Sequence, residues 1–462
     1  MNKRLLSALG AAAVLGAGWV GASSYAGSRI QADLQAFMAK PVTETNLQLQ
    51  NLQHQKGVFS SSGSFEVQPV LKGIPNVPTF QVSYSISHFA VPGSMARVNW
   101  SIKPSGDAAT GLASLFGTVP QLDGKGSVAY NGAIDTSLGL AALSFSKDGD
   151  SFVLSPSAGH LTVDGNQVAL IWNTDKLNAR GSGSALEVSK FALDVKTTDS
   201  TLGIGTTALT IDKVSTSDGF AEGFRHATEV TRDGQRLNVR SSDTLKSGSF
   251  SGQSASDLSL EMAFNGLDIA SLKSMADIIN KSDGLTNLTS EEDLTFRKNL
   301  QTLLNQGLSV GITKLSGTVA KDTANGRVLF ELKKAAADTD PIDLVKQLKA
   351  SAELTVKGPS LPQDQVNMAV AMGFVQATPD GAKASIDYAD GGMRANGKSL
   401  DQALVIPSLE QASLAINTIL TTSLKETLAS SMDGAMDGAA AEATAAEPEE
   451  SQDGQADNTS EQ

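Results

Sequence analysis

The chain has 462 residues, 49 acidic and 36 basic side chains, and a formal net charge of −13. Nine of the acidic residues and no lysine or arginine lie in residues 433–462, so the body of the chain is close to neutral. Without a basic stripe to neutralise phosphates, we expect no nucleic-acid partner. Because there is no cysteine, disulfides, zinc–thiolate sites, cysteine nucleophiles and lipoprotein anchoring are excluded.

Residues 5–27 carry no charge and directly follow Lys3 and Arg4. As a helix they would cover about 34 Å, enough to cross a hydrocarbon core of about 30 Å. The preceding cations predict a cytoplasmic start, a single membrane anchor and an exported bulk. The alternative is a signal peptide cleaved near Ala26, after Ser24-Tyr25-Ala26, which would leave a soluble protein. We favour the anchor because the apolar run exceeds the usual signal-peptide core of about 7–15 residues.

After the anchor, residues 28–41 predict a helical stalk that ends at Pro41. Residues 42–246 alternate apolar and polar side chains between turn signals, which predicts an antiparallel β meander. The turns are expected at pairs that tolerate positive φ angles, namely Asp123-Gly124, Asn131-Gly132, Asp148-Gly149, Asp164-Gly165, Asp218-Gly219 and Asp233-Gly234.

One predicted strand changes the face that carries its apolar side chains. Leu186 and Val188 have one parity, whereas Phe191 and the apolar residues after it have the other. Since side chains alternate between faces, we expect a bulge near Ser189-Lys190 that restores the face. The sheet is therefore predicted to be long and bent.

Residues 247–405 predict an α+β region that continues the sheet. We expect a helix from Asp268, acting as its cap, to Asn280, and a second helix opened by a capping box of Ser290 and Asp293. Further features are a strand pair, Leu308–Val319 and Arg327–Leu332, with a turn at Asn325-Gly326, a short helix opened by Asp340-Pro341, and a final hairpin at Asn396-Gly397. Residues 406–432 predict an amphipathic helix and residues 433–462 a disordered acidic tail.

A search for chemistry finds little. The four histidines, His54, His88, His160 and His226, are far apart in strand-like or turn contexts, so we expect polar surface groups and no metal site. Ser144 and Lys147 match a Ser-x-x-Lys pattern, but that pattern needs a helix and this stretch predicts a strand. We therefore expect a non-enzymatic protein without catalytic, metal or cofactor-binding residues, and with no cofactor.

Several short stretches together carry a resemblance to a known family. They are the apolar anchor and three signatures: Gly57, Phe59 and Ser60; Leu267 and Asp268; and Asn396, Gly397 and Lys398. With these, the chain resembles the YdgA-like family of bacterial inner-membrane-anchored periplasmic proteins of unknown function, up to about residue 405. The resemblance implies an inner-membrane location through residues 5–27, a periplasmic bulk and no catalytic residues. His54 and Lys56 depart from the tyrosine and arginine expected there.

Two functions remain open. The first is lipid or acyl-chain handling in a groove of the sheet, since Ala141–Phe145 and Val168–Trp172 carry apolar or small residues at both parities and need cover on both faces. The alternative is a structural or interaction module for another envelope or motility component. Such a module would present a sheet edge, and Leu202–Ile211 is the edge we expect.

Overall fold

The computed structural model describes residues 47–56, 60–70, 77–87, 94, 96–181, 183–282, 285–401, 403 and 405–425. The predicted anchor, the stalk, the acidic tail and the signature residues Gly57 and Phe59 lie outside these ranges. Within them, no helix is both long and apolar enough to cross a membrane.

The described residues form one antiparallel sheet of twenty-two strands, which confirms the mainly β prediction. The first ten are β1 (Leu47–Lys56), β2 (Ser60–Pro69), β3 (Phe80–Ser87), β4 (Ala96–Pro104), β5 (Leu122–Val128), β6 (Ile134–Leu140), β7 (Leu143–Lys147), β8 (Asp150–Leu154), β9 (Ser157–Asp164) and β10 (Gln167–Gly181). Helix α1 (Gly106–Phe116) separates β4 from β5. Strand β6 pairs with β9, and the β7–β8 hairpin pairs through β8 with the second half of β10.

The sheet continues with long strands that pair in chain order. They are β11 (Ser184–Asp199), β12 (Ile204–Thr216), β13 (Gly219–Asp233), β14 (Arg236–Phe250), β15 (Gln253–Asp268), β16 (Leu308–Val319), β17 (Asp322–Leu332) and β18 (Leu348–Lys357). β18 then pairs with β20, which also pairs with β19 and β21. These last strands are β19 (Gln376–Thr378), β20 (Gly381–Ala389), β21 (Gly392–Ala395) and β22 (Lys398–Ser399). One sheet therefore runs through both the 42–246 and the 247–405 regions.

The helices of the second half lie between or after strands. They are α2 (Ile269–Ser282), a 3-10 turn (Leu285–Asn287), α3 (Ser290–Asn305), α4 (Leu344–Gln347), α5 (Gln363–Ala371) and α6 (Ile406–Thr421). Helix α6 ends at Thr421, short of the predicted 406–432, because Thr422 takes an extended conformation. Asp268 caps α2 as predicted, accepting the Ser271 N–H at 2.7 Å.

Two other predicted helix starts are displaced along the chain. The capping box of α3 is formed by Thr289 and Glu292 instead of Ser290 and Asp293. Asp343, not Asp340, caps α4. In the first case Asp293 has a different task, because its buried carboxylate pairs with Arg297 at 2.8 Å and accepts the Leu424 N–H at 2.9 Å. That carboxylate ties the end of α6 to α3.

A hydrophobic core lies on one face of β1–β6, β9 and β10, where aromatic rings cover glycines on the paired strand. The pairs are Tyr84 with Gly63, Trp100 with Gly124, and Trp172 with Gly159. Gly124 has no room for a side chain because the Trp100 indole occupies that space. The prediction of a turn at Asp123-Gly124 is therefore wrong, since both residues lie inside β5.

Most of the predicted turns are where we expect them. Asp148-Gly149 and Asn396-Gly397 lie in hairpin turns, and Gly165 and Gly234, with φ angles of 57° and 59°, begin turns directly after the aspartates that end β9 and β13. Asn325-Gly326 is wrong as a turn: both residues lie within β17, and the hairpin turns at Ala320, whose φ angle is 53°. A glycine fits this strand position because a side chain at 326 would meet the Glu353 carbonyl oxygen and the Leu354 side chain of β18.

In one row of residues across the long strands, the hydrogen-bonded pairing of neighbouring strands is interrupted. Lys190, Gly223 and Asp257, on β11, β13 and β15, have positive φ angles of 48°, 66° and 52°. On either side of Lys190 the register against β10 is unchanged, so no residue is inserted. The row is continuous because Lys190 lies opposite Asp212 and Asp257 lies opposite Lys246, in the gaps of the paired ladders.

The consequence of this row is visible on β14. A side chain placed at Gly248 would lie 3.4 Å from Leu245 Cδ2 and 3.3 Å from the Phe250 ring. Leu245 and Gly248 therefore share a face although an odd number of positions separates them. The expected restoration of the face near Ser189-Lys190 is present, produced by a left-handed residue instead of an extra one.

Candidate functional site

The two faces of the long strands β11–β18 differ in chemistry. Cross-strand partners point to the same side of a sheet, so the register defines each face. One face, here called the apolar face, carries three continuous rows. The rows are Val230, Val239, Phe264, Val310, Phe330 and Ala350; Thr207, Thr228, Ser241, Met262, Ile312, Val328 and Ala352; and Leu193, Leu209, His226, Asp243, Leu260, Leu315, Gly326 and Leu354.

The apolar face exposes large side chains to solvent. Every exposed large hydrophobic residue described in β11–β18 lies on it, and Phe330, for example, is 45% exposed; the set is Leu186, Phe250, Phe264, Leu315, Val319, Phe330 and Leu354. Those beyond the interrupted row belong to this face because Gly248 and Phe250 share it with Leu245. Exposed apolar side chains gathered on one side of a sheet are typical of a binding surface.

The opposite side, here called the polar face, carries ion pairs between neighbouring strands. Arg327 donates to Glu353 at 2.7 Å, Lys213 to Glu222 at 2.8 Å, and Lys349 lies 3.4 Å from Glu331. The hydrogen bond from Arg327 lowers the pKa of Glu353, and the bond from Lys213 lowers that of Glu222. These exposed pairs contribute little to stability, but they identify this face as the solvated one.

A group of polar side chains interrupts the apolar face. His226 Nδ1 lies 2.7 Å from Asp243 Oδ1, and its Nε2 lies 3.1 Å from the Thr228 hydroxyl. Thr207 and Ser241 are the cross-strand partners of Thr228. We call Thr207, His226, Thr228, Ser241 and Asp243 the polar cluster. The side chains of His226 and Asp243 are about one-third exposed, at 37% and 35%, so a ligand can reach them.

His226 is a partly exposed polar group, as expected, and its partners Asp243 and Thr228 were not predicted from the sequence. His226 and Asp243 are far apart in sequence, but they lie equally far from the turn at Gly234-Gln235, on opposite strands of the β13–β14 hairpin. Counting outward from the predicted loop residues Asp233 and Gly234 pairs His226 with Ser241, whereas the observed loop Gly234-Gln235 pairs it with Asp243. The turn signal in the sequence therefore places His226 near Asp243, but one residue out of the observed turn.

The order carboxylate, imidazole, hydroxyl is the order that activates a nucleophile in hydrolases. Such enzymes also need backbone N–H donors aimed at a developing oxyanion. Around His226, β13 pairs with β12 on one side and β14 on the other, so its backbone N–H groups serve the ladder. The geometry therefore suits hydrogen bonding to a ligand better than acyl transfer.

The family-signature residues that the structure describes, which leave out Gly57 and Phe59, do not form one site. Ser60 begins β2, Leu267 pairs with Leu237, and Asp268 caps α2. Asn396 takes a left-handed conformation (φ 50°), accepts the Ser385 N–H at 3.0 Å and donates to the Gly373 carbonyl at 3.0 Å. Gly397 completes that turn and Lys398 starts β22. In the described structure these residues hold turns and a helix cap.

The other histidines and motifs fall into separate places. His54 Nδ1 lies 2.8 Å from the Tyr84 hydroxyl, His160 lies 3.3 Å from Asp135 on the surface, and His88 is outside the described ranges. Ser144 and Lys147 lie on β7, as the strand prediction required. Among the described residues, no three acidic or histidine side chains are grouped so that they can hold a metal ion.

Residues 1–364 match the model of a family described as bacterial protein of unknown function, DUF945. The chain belongs to this family. The match confirms the expectation of an uncharacterised bacterial family, and in this DUF945 chain it covers the strands of the apolar face and the polar cluster. No curated protein shows significant similarity to the chain, and neither does any solved structure.

Proposed function

We propose that this DUF945 protein is a non-enzymatic cell-envelope protein that binds acyl chains along the apolar face. In this proposal residues 5–27 anchor it in the inner membrane and the sheet extends into the periplasm. The observation that carries the proposal is the segregation of exposed apolar side chains to one face of β11–β18.

The dimensions of the apolar face suit acyl chains. Eight neighbouring strands at about 4.8 Å spacing extend for about 34 Å. One leaflet of a bilayer holds its hydrocarbon in about 15 Å, half of a core of about 30 Å. A whole acyl chain can therefore lie across the strands with its methylene groups against Leu, Val, Phe and Met side chains, and each methylene removed from water contributes about 0.8 kcal/mol.

Leu170, in the stretch Val168–Trp172 that was expected to need cover on both faces, lies on β10 and not on the apolar face of β11–β18. Leu170 packs against the core of β1–β6 and β9, so a charge there would unfold the protein whatever the function.

The alternative interaction module also loses its expected edge. Residues 204–211 lie in β12, which pairs with β11 and β13 on its two sides.

Phe330 and Glu331 provide a matched test. They are adjacent and exposed on β17 but lie on opposite faces. We expect lipid extracted from the purified full chain to fall at least several-fold in Phe330→Asn and to be unchanged in Glu331→Asn, since the latter loses only a surface ion pair. Equal lipid content in the wild type and both variants, or a protein partner in place of lipid, would contradict the proposal.

A further inference from the structure

The polar cluster is in the wrong place for a purely apolar ligand. Its His226 and Asp243 lie between Leu209 of β12 and Leu260 of β15, in the middle of a row of leucines. A plain hydrocarbon crossing that row would cover a carboxylate and an imidazole, and burying such groups without new hydrogen bonds is costly. The position therefore indicates a ligand with a polar group at this point. This inference rests on the proposed function.

The hydrogen-bond inventory defines what that polar group must offer. A carboxylate oxygen accepts, so Asp243 Oδ1 holds a proton on His226 Nδ1, while His226 Nε2 and the Thr228 hydroxyl form the second hydrogen bond of the ring. No described side chain donates a hydrogen bond to Asp243 Oδ2, which leaves a charged acceptor facing the ligand. Ser241, two residues from Asp243 on β14, adds a hydroxyl group to the same face, and Thr207 adds another on β12, across β13.

The charge of Asp243 limits which head groups can bind at the polar cluster. On the apolar face, the rows through and beside the polar cluster on β12–β15 contain no charged side chain other than Asp243, apart from His226 when it is protonated. A carboxylate or phosphate head group would be repelled by Asp243 and has no hydrogen to donate to it. Hydroxyl groups can donate to Asp243 and accept from Ser241 and Thr207. We propose that the polar cluster binds the uncharged, hydroxyl-bearing head of an acyl lipid, of the monoacylglycerol type.

The test compares two amphiphiles that have the same acyl chain and different head groups. Binding of radiolabelled 1-monopalmitoylglycerol and palmitate to the full chain, held in amphipol and below the critical micelle concentration, gives a preference ratio at pH 8. Because the two differ in solubility, the decisive quantity is the change of this ratio in Asp243→Asn, which keeps the shape and removes the charge. Asp194→Asn, on the polar face of β11, is the control.

We expect the preference for monopalmitoylglycerol to fall about tenfold in Asp243→Asn, as the loss of one hydrogen bond to a charged group implies, and to stay at the wild-type value in Asp194→Asn. An unchanged ratio in Asp243→Asn would overturn the head-group inference while leaving acyl binding intact. If neither amphiphile binds the wild type, both the inference and the proposed function are wrong.

Discussion

Replacing Gly124 by alanine tests the pairing of aromatic rings with glycines in the core. A Cβ atom at this position would overlap Cε2, Cζ2 and Nε1 of Trp100, whose side chain is 4% exposed. Carbon atoms in contact are normally about 3.5–4.0 Å apart, so the indole must move by about 1.5 Å within a packed core. Overpacking of this kind costs about 1–3 kcal/mol, and we expect the upper end because Trp100 also donates to Thr136.

The control for this prediction is Gly139→Ala on the next strand, β6. A Cβ there meets no atom within 4 Å, so the substitution should be neutral or add up to about 1 kcal/mol by restricting the unfolded chain. Urea denaturation followed by tryptophan fluorescence should show a midpoint about 1 M lower for Gly124→Ala and unchanged or higher for Gly139→Ala. Equal midpoints for the two variants would refute the account of this core.

Two further predictions concern stability. Burial raises the pKa of Tyr84 from 10.0 to about 12, so the stability that the neutral phenol contributes is present below pH 10 and is lost as the pH rises through 12. The free energy of unfolding should fall by about 3 kcal/mol over this range. In Tyr84→Phe, unfolding measured from pH 9 to 12 should lack this loss. Asp293→Asn should cost about 3 kcal/mol because it leaves the buried Arg297 unpaired, and proteolysis after Leu420 should become faster if Asp293 holds the end of α6; unchanged cleavage would contradict that role.

The sequence predicted the architecture where local signals agree with the fold. Residues that tolerate positive φ mark real hairpins at Asp148-Gly149 and Asp164-Gly165, and Asp268 caps a helix because its side chain can reach the first free N–H groups. The same local signal failed at Asp123-Gly124. There the glycine is required by a ring on the neighbouring strand, and that contact depends on the tertiary register.

The candidate site was less accessible to sequence reasoning for a related reason. Each row of the apolar face draws one residue from each of several strands, so no continuous stretch of sequence contains it. The change of parity at Lys190 was visible in the sequence, but it defines the apolar face of one strand only. The predicted β13–β14 turn brings His226 within two residues of its observed partner Asp243, but the surrounding apolar rows needed every register from β11 to β18.

The measurement that tests the central claim most directly is site-specific photocrosslinking in the intact bacterial envelope. A photoreactive amino acid is placed at position 330 on the apolar face or at position 331 on the polar face, and the crosslinked products are identified by mass spectrometry. The account predicts acyl-lipid adducts at position 330 and none at position 331. Equal labelling at the two positions, or protein adducts alone at position 330, would contradict acyl-chain binding on this face.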